Sequence, residues 1–391
     1  MISAAEEMTE RSDLSKAKHW IVKIGSSVFL RDEKHVDRPT FASLIQDVDR
    51  LLSEGHRVTI VSSGAVALGR ERLGWPEVQG ASDITDLQAL AALGQSRLVQ
   101  MYESELSHYD RKVAQILFSR ADLDDRERFL NARRALHRVH QFGAIPIINE
   151  NDSVATEELR FGDNDRLAAM TCGVEQADLL VLLSDVEGIL EVEENEEGER
   201  VYGDRVSAIE VDEPKLDELA GPSDTTVGTG GMVSKVIAAR IAARVGAPTV
   251  IAPGKRSGIL ETLHQGEDVG TYIDPGEREE LAGKKVWLGA GARPVGTIFC
   301  DEGARRAVSS AGASLLPSGI TGVEGDFAEG SVVELRDEEG ELFARGVAVY
   351  SAEDIEKIAG RQSDSIRDVL GYRMLDCVVH RDSLVILEHR E

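Results

Sequence analysis

The sequence predicts an α/β protein: a three-layer α/β/α sandwich around a mainly parallel sheet, followed by a small, mostly-β domain. Three observations predict it. From about residue 19 to 253, short β-rich runs alternate with helix-length patterns. Those runs are apolar on both faces, as strands covered by helices on two sides must be. Around PGEREELAGKK (275–285) the alternation stops, and short strand patterns broken by glycine turns take over.

The strand runs of the first part are WIVKIG, HRVTIVSSG, KVAQILF, AIPIINEN, DLLVLLSD and PTVIAPG, and between them lie helical stretches such as LQALAALGQSRLVQMYESEL and RFLNARRALHRVHQFG. In such a fold ligands collect at the carboxyl ends of the strands. The second part offers VGTIFC, GSVVELRD, FARGVAVY, CVVH and LVILE, with a helix after Ser351 that Ser351 and Asp354 would cap. The expected organisation is a flexible extension over 1–16, a first domain over 17–275, a linker over 276–285 and a second domain over 286–391.

Bulk properties bound the function. A chain of 391 residues exceeds what one core usually serves, so two domains are expected. No apolar run reaches the ~20 residues needed to cross a bilayer, and the start MISAAEEMTERSDLSK is acidic and polar, unlike a secretion signal. A soluble, cytoplasmic protein is expected. Cys172, Cys300 and Cys377 are odd in number and far apart, which excludes a disulfide framework and a zinc knuckle and makes them small buried hydrophobes. The net charge of −26 repels nucleic acid and anionic membrane, so a bound polyphosphate must meet a local positive site. The run Glu191–Glu199 lacks the ordered spacing of a calcium loop and reads as a solvated loop.

Several polar clusters sit at strand ends. GTGGMVSK (228–235) precedes an Ala-rich helix, with Lys235 on its opening turn. The order differs from a P-loop, and the segment reads either as a tight turn or as an anion site at a helix mouth. Lys23 lies inside an apolar strand, where an ammonium costs free energy unless it is paired or functional. Ser62-Ser63-Gly64 ends the second strand and enters a helix, as an ordinary cap or a second anion site. Asn149, Glu150, Asn151 and Asp152 close another strand, and Asp163, Asn164 and Asp165 precede a helix. Some of these must be caps and turns, but seven such groups suggest a ligand carrying both signs of charge. Ser184-Asp185 ends the most apolar strand. His137 and His140 have i, i+3 spacing but no third ligand near them in sequence, so a packing or surface role is expected. Arg120, Arg126, Arg128, Arg133 and Arg134 form a basic concentration, expected to make ion pairs or subunit contacts.

KIGSS, VSSGAVALG, ALGQSRL, SRADLDDRERFLNAR, INENDSV, FGDND, LLSDVEGI and GTGGMVSK, in this order, resemble the glutamate 5-kinase family of the amino acid kinase superfamily. The segment after 285 resembles a PUA domain. The resemblance implies ATP-dependent phosphorylation of the L-glutamate side-chain carboxylate, the first step of proline synthesis. It assigns Lys23, Lys235 and Asp165 to catalysis and Ser63, Asp152 and Asn164 to glutamate. The nucleotide falls to Lys23, Ser184, Asp185, Thr229, Gly230, Gly231, Met232, Val233, Ser234 and Lys235. Mg2+ would arrive with ATP, and no residue is assigned to hold a metal. The family also implies proline feedback inhibition, a homo-oligomer (dimer or tetramer) and glutamyl 5-phosphate reductase as a pathway partner. PUA domains often bind RNA, but residues 286–391 carry 11 Lys and Arg against 19 Asp and Glu, the wrong sign for an RNA surface. A regulatory or assembly role is expected instead. N-acetylglutamate kinase and aspartokinase are the alternatives within the superfamily, disfavoured by the INEND and GDND clusters.

Overall fold

The computed structural model describes residues 11–31, 35–74, 84–154, 164–194, 200–221, 231–276, 288 and 294–387. Asp163, Thr229 and Gly230 lie outside these residues, as does nearly all of the 276–285 linker. The chain divides into two compact units near residue 278.

In the first unit, β1 (His19–Ile24) leads into a short helix α1 (Ser26–Phe29) and a two-stranded ribbon of β2 (Leu30–Arg31) and β3 (His35–Val36). Helix α2 (Arg38–Ser53) begins where Asp37 accepts a hydrogen bond from the Thr40 N–H, with proline in the first turn. Then follow β4 (Arg57–Ser62), α3 (Ala65–Leu73), α4 (Ile84–Ser107), β5 (Lys112–Phe118), α5 (Arg120–Asp124), α6 (Arg126–Gln141), β6 (Ala144–Glu150), α7 (Asn164–Glu175) and β7 (Leu179–Ser184). The unit closes with β8 (Leu190–Glu194), β9 (Arg200–Arg205), β10 (Ala208–Glu210), α8 (Lys215–Ala220), α9 (Met232–Ala243), β11 (Thr249–Pro253), α10 (Ile259–His264) and β12 (Thr271–Asp274).

Eight strands form one sheet in the order β10-β12-β11-β7-β1-β4-β6-β5. Every pair is parallel except β11 with β12. The chain runs outward from β1 through β4 on one side and returns to β7 on the other. The crevice for a ligand therefore opens at the carboxyl end of β1, between those neighbours. Alternation along β1 settles which side chain faces which layer. Trp20, Val22 and Ile24 join the core under α2, α4 and α10, so Lys23 points to the opposite layer, where α7 and α9 pack together.

A charge lies in the interior of the first layer. Asp47 on α2 is 2% exposed, and its Oδ2 accepts from the Leu260 N–H at 3.1 Å, capping the start of α10. Burial pushes its carboxyl up to about 6, against the smaller opposing pull of that hydrogen bond. A carboxylate whose folded pKa is raised costs stability once pH climbs through the folded value, and the cost fades as pH falls toward the unfolded value. Asp47→Asn keeps an acceptor for Leu260 and removes the charge. It should raise unfolding stability by on the order of 1–3 kcal/mol at pH 7, with the gain shrinking toward pH 4, as read by urea melts across that range.

Two readings of the sequence need correcting. Residues 11–16 are no loose extension: Arg11–Lys16 is a 3-10 helix with Leu14 fully buried. Arg11 donates to the carbonyls of Gly270, at 2.9 Å, and of Val269 and Ser207, which ties this turn to the chain around β12. Likewise, of the run Glu191–Glu199 expected as a loop, Glu191–Glu194 belong to β8, paired with β9, while 195–199 lie outside the described residues. Val201 and Tyr202 supply the β-branched and aromatic residues that the ribbon favours. The three cysteines are buried and unpaired, as their scatter predicts.

The second unit is a five-stranded sheet, β14-β13-β15-β16-β17, formed by β13 (Gly296–Cys300), β14 (Ile320–Glu324), β15 (Val332–Arg336), β16 (Leu342–Ala348) and β17 (Val379–Ile386). Short helices cover its core, among them Ala352–Ile358, where the Ser351 hydroxyl accepts from the Asp354 N–H as its spacing suggests. No described helix is long and apolar enough to cross a membrane.

Candidate active site

Asp165 is the second residue of α7 and has no exposed surface. Its Oδ1 lies 2.6 Å from Lys23 Nζ, and its Oδ2 lies 3.1 Å from Lys235 Nζ. Both lysines are themselves more than nine-tenths buried. The Ser234 hydroxyl donates to the same Oδ2 at 3.2 Å. Burial by itself would push the Asp165 carboxyl up, but the two adjacent ammonium groups outweigh it and hold the group below the usual carboxylate range. Two cations share one anion here, a local net positive charge inside a strongly acidic chain. Removing Asp165 would leave two uncompensated buried ammonium groups, a kind of loss that costs about 3–5 kcal/mol.

Lys235 reaches this point because α9 starts at Gly231, so the lysine falls on the first turn. At Gly231 the backbone is ordinary, with φ −69°, and among the described residues a Cβ would meet nothing within 4 Å. Neither strain nor packing among the described residues requires glycine there. Its small size leaves the N–H groups of a helix mouth uncovered by any side chain of its own. Met232, Val233 and Ser234 form the first turn of that helix. Gly25 stands just beyond Lys23, where a Cβ would lie 3.7 Å from Lys23 Nζ.

A second polar group lies at the ends of β4 and β6. Asn164 Nδ2 donates to Ser63 Oγ at 2.9 Å, to Asn149 Oδ1 at 2.9 Å and to the Ser62 carbonyl at 3.2 Å. Asn149 Nδ2 in turn donates to Gln95 Oε1 at 2.8 Å, and the Tyr102 hydroxyl donates to Ser62 Oγ at 2.8 Å. Ser63 and Asn164, assigned to one ligand from the sequence, are thus in direct contact, and Asn164 directly precedes Asp165. Asp152 opens a 3-10 turn, Asp152–Val154, immediately after β6. Ser184 ends β7, where its hydroxyl donates to Asp185 Oδ1 at 3.1 Å and its carbonyl accepts from the Gly254 N–H. Asp185 is exposed.

Gln95 and Tyr102 are the members of this network that the sequence does not reveal. Their only signal is a polar group on the buried face of an otherwise apolar helix, α4. Gly64 is also specific: its φ of 103° belongs to the left-handed region, which lets the chain turn from β4 into α3 directly after Ser63. Among the basic residues of α5 and α6, Arg120 pairs with Asp124 at 2.9 Å and Arg128 with Asp122 at 3.2 Å, as expected of ion pairs.

Paired ammonium groups around a buried carboxylate, at the strand ends of a parallel sheet and beside an open helix mouth, suit transfer of a phosphoryl group. The profile of the amino acid kinase family matches residues 18–253, and that of the PUA domain matches residues 296–370. Glutamate 5-kinase of Pelobacter propionicus is 43% identical over 372 residues, covering 95% of this chain and 98% of that protein. The glutamate 5-kinases of Nitrosococcus oceani and Pseudomonas putida are 42% and 43% identical, each over 96% of this chain. A UMP kinase structure from Bacillus anthracis is 13% identical with a TM-score of 0.44, covering 68% of this chain and 99% of that one, too distant to bear on function. The chain belongs to the amino acid kinase family and, within it, to the glutamate 5-kinases.

Proposed function

We propose that this chain transfers the γ-phosphoryl group of ATP to the side-chain carboxylate of L-glutamate, giving L-glutamyl 5-phosphate for proline synthesis. The observation that carries the reading is the pair of buried lysines held on the two oxygens of Asp165. The acceptor carboxylate has a pKa of ~4.3 and is already ionised near neutrality, so no general base is needed. A carboxylate oxygen forms the new bond to the γ-phosphorus while the bond to the β–γ bridging oxygen breaks, and ADP leaves with the electron pair. The obstacle is the meeting of two anions. Lys23 and Lys235 offset it from the strand end and the helix mouth, and Asp165 orients both.

Gly231, with no side chain of its own, admits phosphate oxygens to the backbone N–H groups of α9. Thr229 through Ser234, with Ser184 and Asp185, make up the nucleotide side. Each Asp165 oxygen is committed to a lysine, which leaves Mg2+ to the phosphate oxygens and water when it arrives with ATP. Glutamate is held by Ser63, Asn164 and Asp152. Asn164 Oδ1 is buried without a hydrogen-bond partner among the described residues, an acceptor suited to the substrate ammonium. Asp152 adds negative charge for the same group, which disfavours an N-acylated substrate.

Four further readings belong with this one. The enzyme works in the cytoplasm as a homo-oligomer, proline inhibits it, and glutamyl 5-phosphate reductase consumes its product. Catalysis belongs to residues 17–275, and regulation or assembly to the PUA-like domain, 286–391. ATP turnover with glutamate, N-acetylglutamate and aspartate, trapping any acyl phosphate as a hydroxamate, tests the reaction. Glutamate alone should give rapid hydroxamate formation; a preference for either competitor would overturn the substrate assignment. Activity that stays flat across millimolar proline would remove the feedback reading.

A further inference from the structure

Far from the lysines, at the opposite end of the sheet, three side chains from different elements meet: His19 at the start of β1, His140 near the end of α6 and Glu175 at the end of α7. His140 Nε2 lies 2.9 Å from Glu175 Oε1, and His19 Nε2 lies 3.4 Å from Glu175 Oε2. Thr59 Oγ1, on β4, stands 3.4 Å from His19 Nε2 and 3.1 Å from His140 Nε2. His19, Thr59 and the Glu175 carboxylate are almost wholly buried, while the His140 side chain keeps about a tenth of its surface open to solvent.

Zinc binds imidazole nitrogen at about 2.0–2.1 Å and carboxylate oxygen at about 2.0–2.2 Å in tetrahedral sites, so adjacent ligand atoms stand about 3.3–3.4 Å apart. The four separations above, from 2.9 to 3.4 Å, approach those edges. The His140–Glu175 Oε1 contact also has the length of an ordinary hydrogen bond, but Glu175 Oε2 has no hydrogen-bond partner among the described residues, although it is buried and within 3.4 Å of an imidazole nitrogen. A buried carboxylate with an oxygen left over, facing two imidazoles, is the donor set that suits a borderline-soft divalent cation.

We propose that His19, His140 and Glu175 form a structural zinc-type site, completed by the Thr59 hydroxyl or by water, that ties β1, β4, α6 and α7 together at the end of the sheet remote from catalysis. His137 takes no part: its Nε2 is engaged by the Gln141 amide on the same helix. The i, i+3 histidine pair of the sequence is therefore not the ligand pair. His140 finds its two co-ligands on a strand and a helix distant in the chain, which spacing along the sequence cannot show.

The test uses the full-length chain, stripped with EDTA and assayed without nucleotide, with Zn2+ in calorimetry and Co2+ as the spectroscopic probe. One equivalent of Zn2+ should bind, with Kd at or below micromolar, and Co2+ should give the intense visible bands of a tetrahedral site. His140→Gln is a suitable first variant because that residue is the least buried of the three, and circular dichroism reports whether it folds. It should weaken Zn2+ binding at least tenfold. His140→Cys should retain binding and add a thiolate-to-cobalt absorption that no packing role could produce. A neighbouring group, Glu54, His56 and His264, is the internal control: His264→Gln should leave the stoichiometry and the cobalt spectrum unchanged. The proposal falls if the wild-type chain binds no Zn2+, if His264→Gln removes the binding, or if His140→Cys binds Co2+ without the new band.

Discussion

Replacing Lys235 by methionine should lower the rate of glutamyl phosphate formation by about two to three orders of magnitude, with most of the loss in kcat. Methionine keeps the length and apolar stem, so the packing of α9 survives. The ammonium is what disappears, and with it a charge aimed where negative charge develops, a type of interaction that removal experiments put at about 2.7–4 kcal/mol. The same change leaves Asp165 with Lys23 as its near cation, and a paired carboxylate is far less costly than a bare one. Stability should therefore fall modestly while turnover collapses. Asp165→Asn makes the complementary comparison. It leaves two ammonium groups around a neutral amide, so stability and turnover should fall together. Single-turnover rates and urea melts on both variants separate the two effects; a Lys235→Met enzyme with near-normal kcat would remove this lysine from the chemistry.

The second large effect concerns packing. Gly94→Ala should destabilise the first unit by more than about 3 kcal/mol, because the added methyl has nowhere to go. Its Cβ would lie 1.7 Å from the Ala65 carbonyl oxygen and 2.5 Å from the Gly69 nitrogen, and both are backbone atoms that cannot swing aside. Gly69 faces the same crossing from the other helix, where a Cβ would fall 2.0 Å from the Leu90 carbonyl oxygen. Helices α3 and α4 thus touch backbone to backbone. Since α3 begins directly after Ser63-Gly64, forcing the helices apart should also displace Ser63 from Asn164. Thermal melts should show a fall of about 10 °C or more, and the glutamate KM should rise in whatever folded protein remains. A Gly94→Ala chain as stable as the parent would mean the helices cross less closely than described.

Much of this was legible before any coordinates. A lysine inside WIVKIG had to be paired or functional, and it is paired with a buried carboxylate. The doubly apolar strands required helices on both faces, and the sheet has them. What escaped depends on which distant positions meet. Gly69 and Gly94 stand mid-helix, where glycine is costly, and that cost is a readable sign of close approach; the partner of each is not readable. Gln95 and Tyr102 look like ordinary members of a helical pattern until β4 and β6 bring Ser62 and Asn149 beside them. The turn at Arg11–Lys16 was hidden for another reason. Its anchors are main-chain carbonyls near β12, and carbonyls leave no trace in residue identity.

The central position of β1 has a kinetic consequence. It is the earliest strand of the sheet to leave the ribosome, yet its two neighbours, β4 and β7, follow at increasing distance, and Lys235 comes later still. Closing such wide loops is entropically slow, so folding of this unit should be limited by tertiary search and not by local helix formation. A half-made chain holds Lys23 and Asp165 without the second cation, and nucleotide affinity should therefore emerge only in the final refolding phase, after most ellipticity has returned.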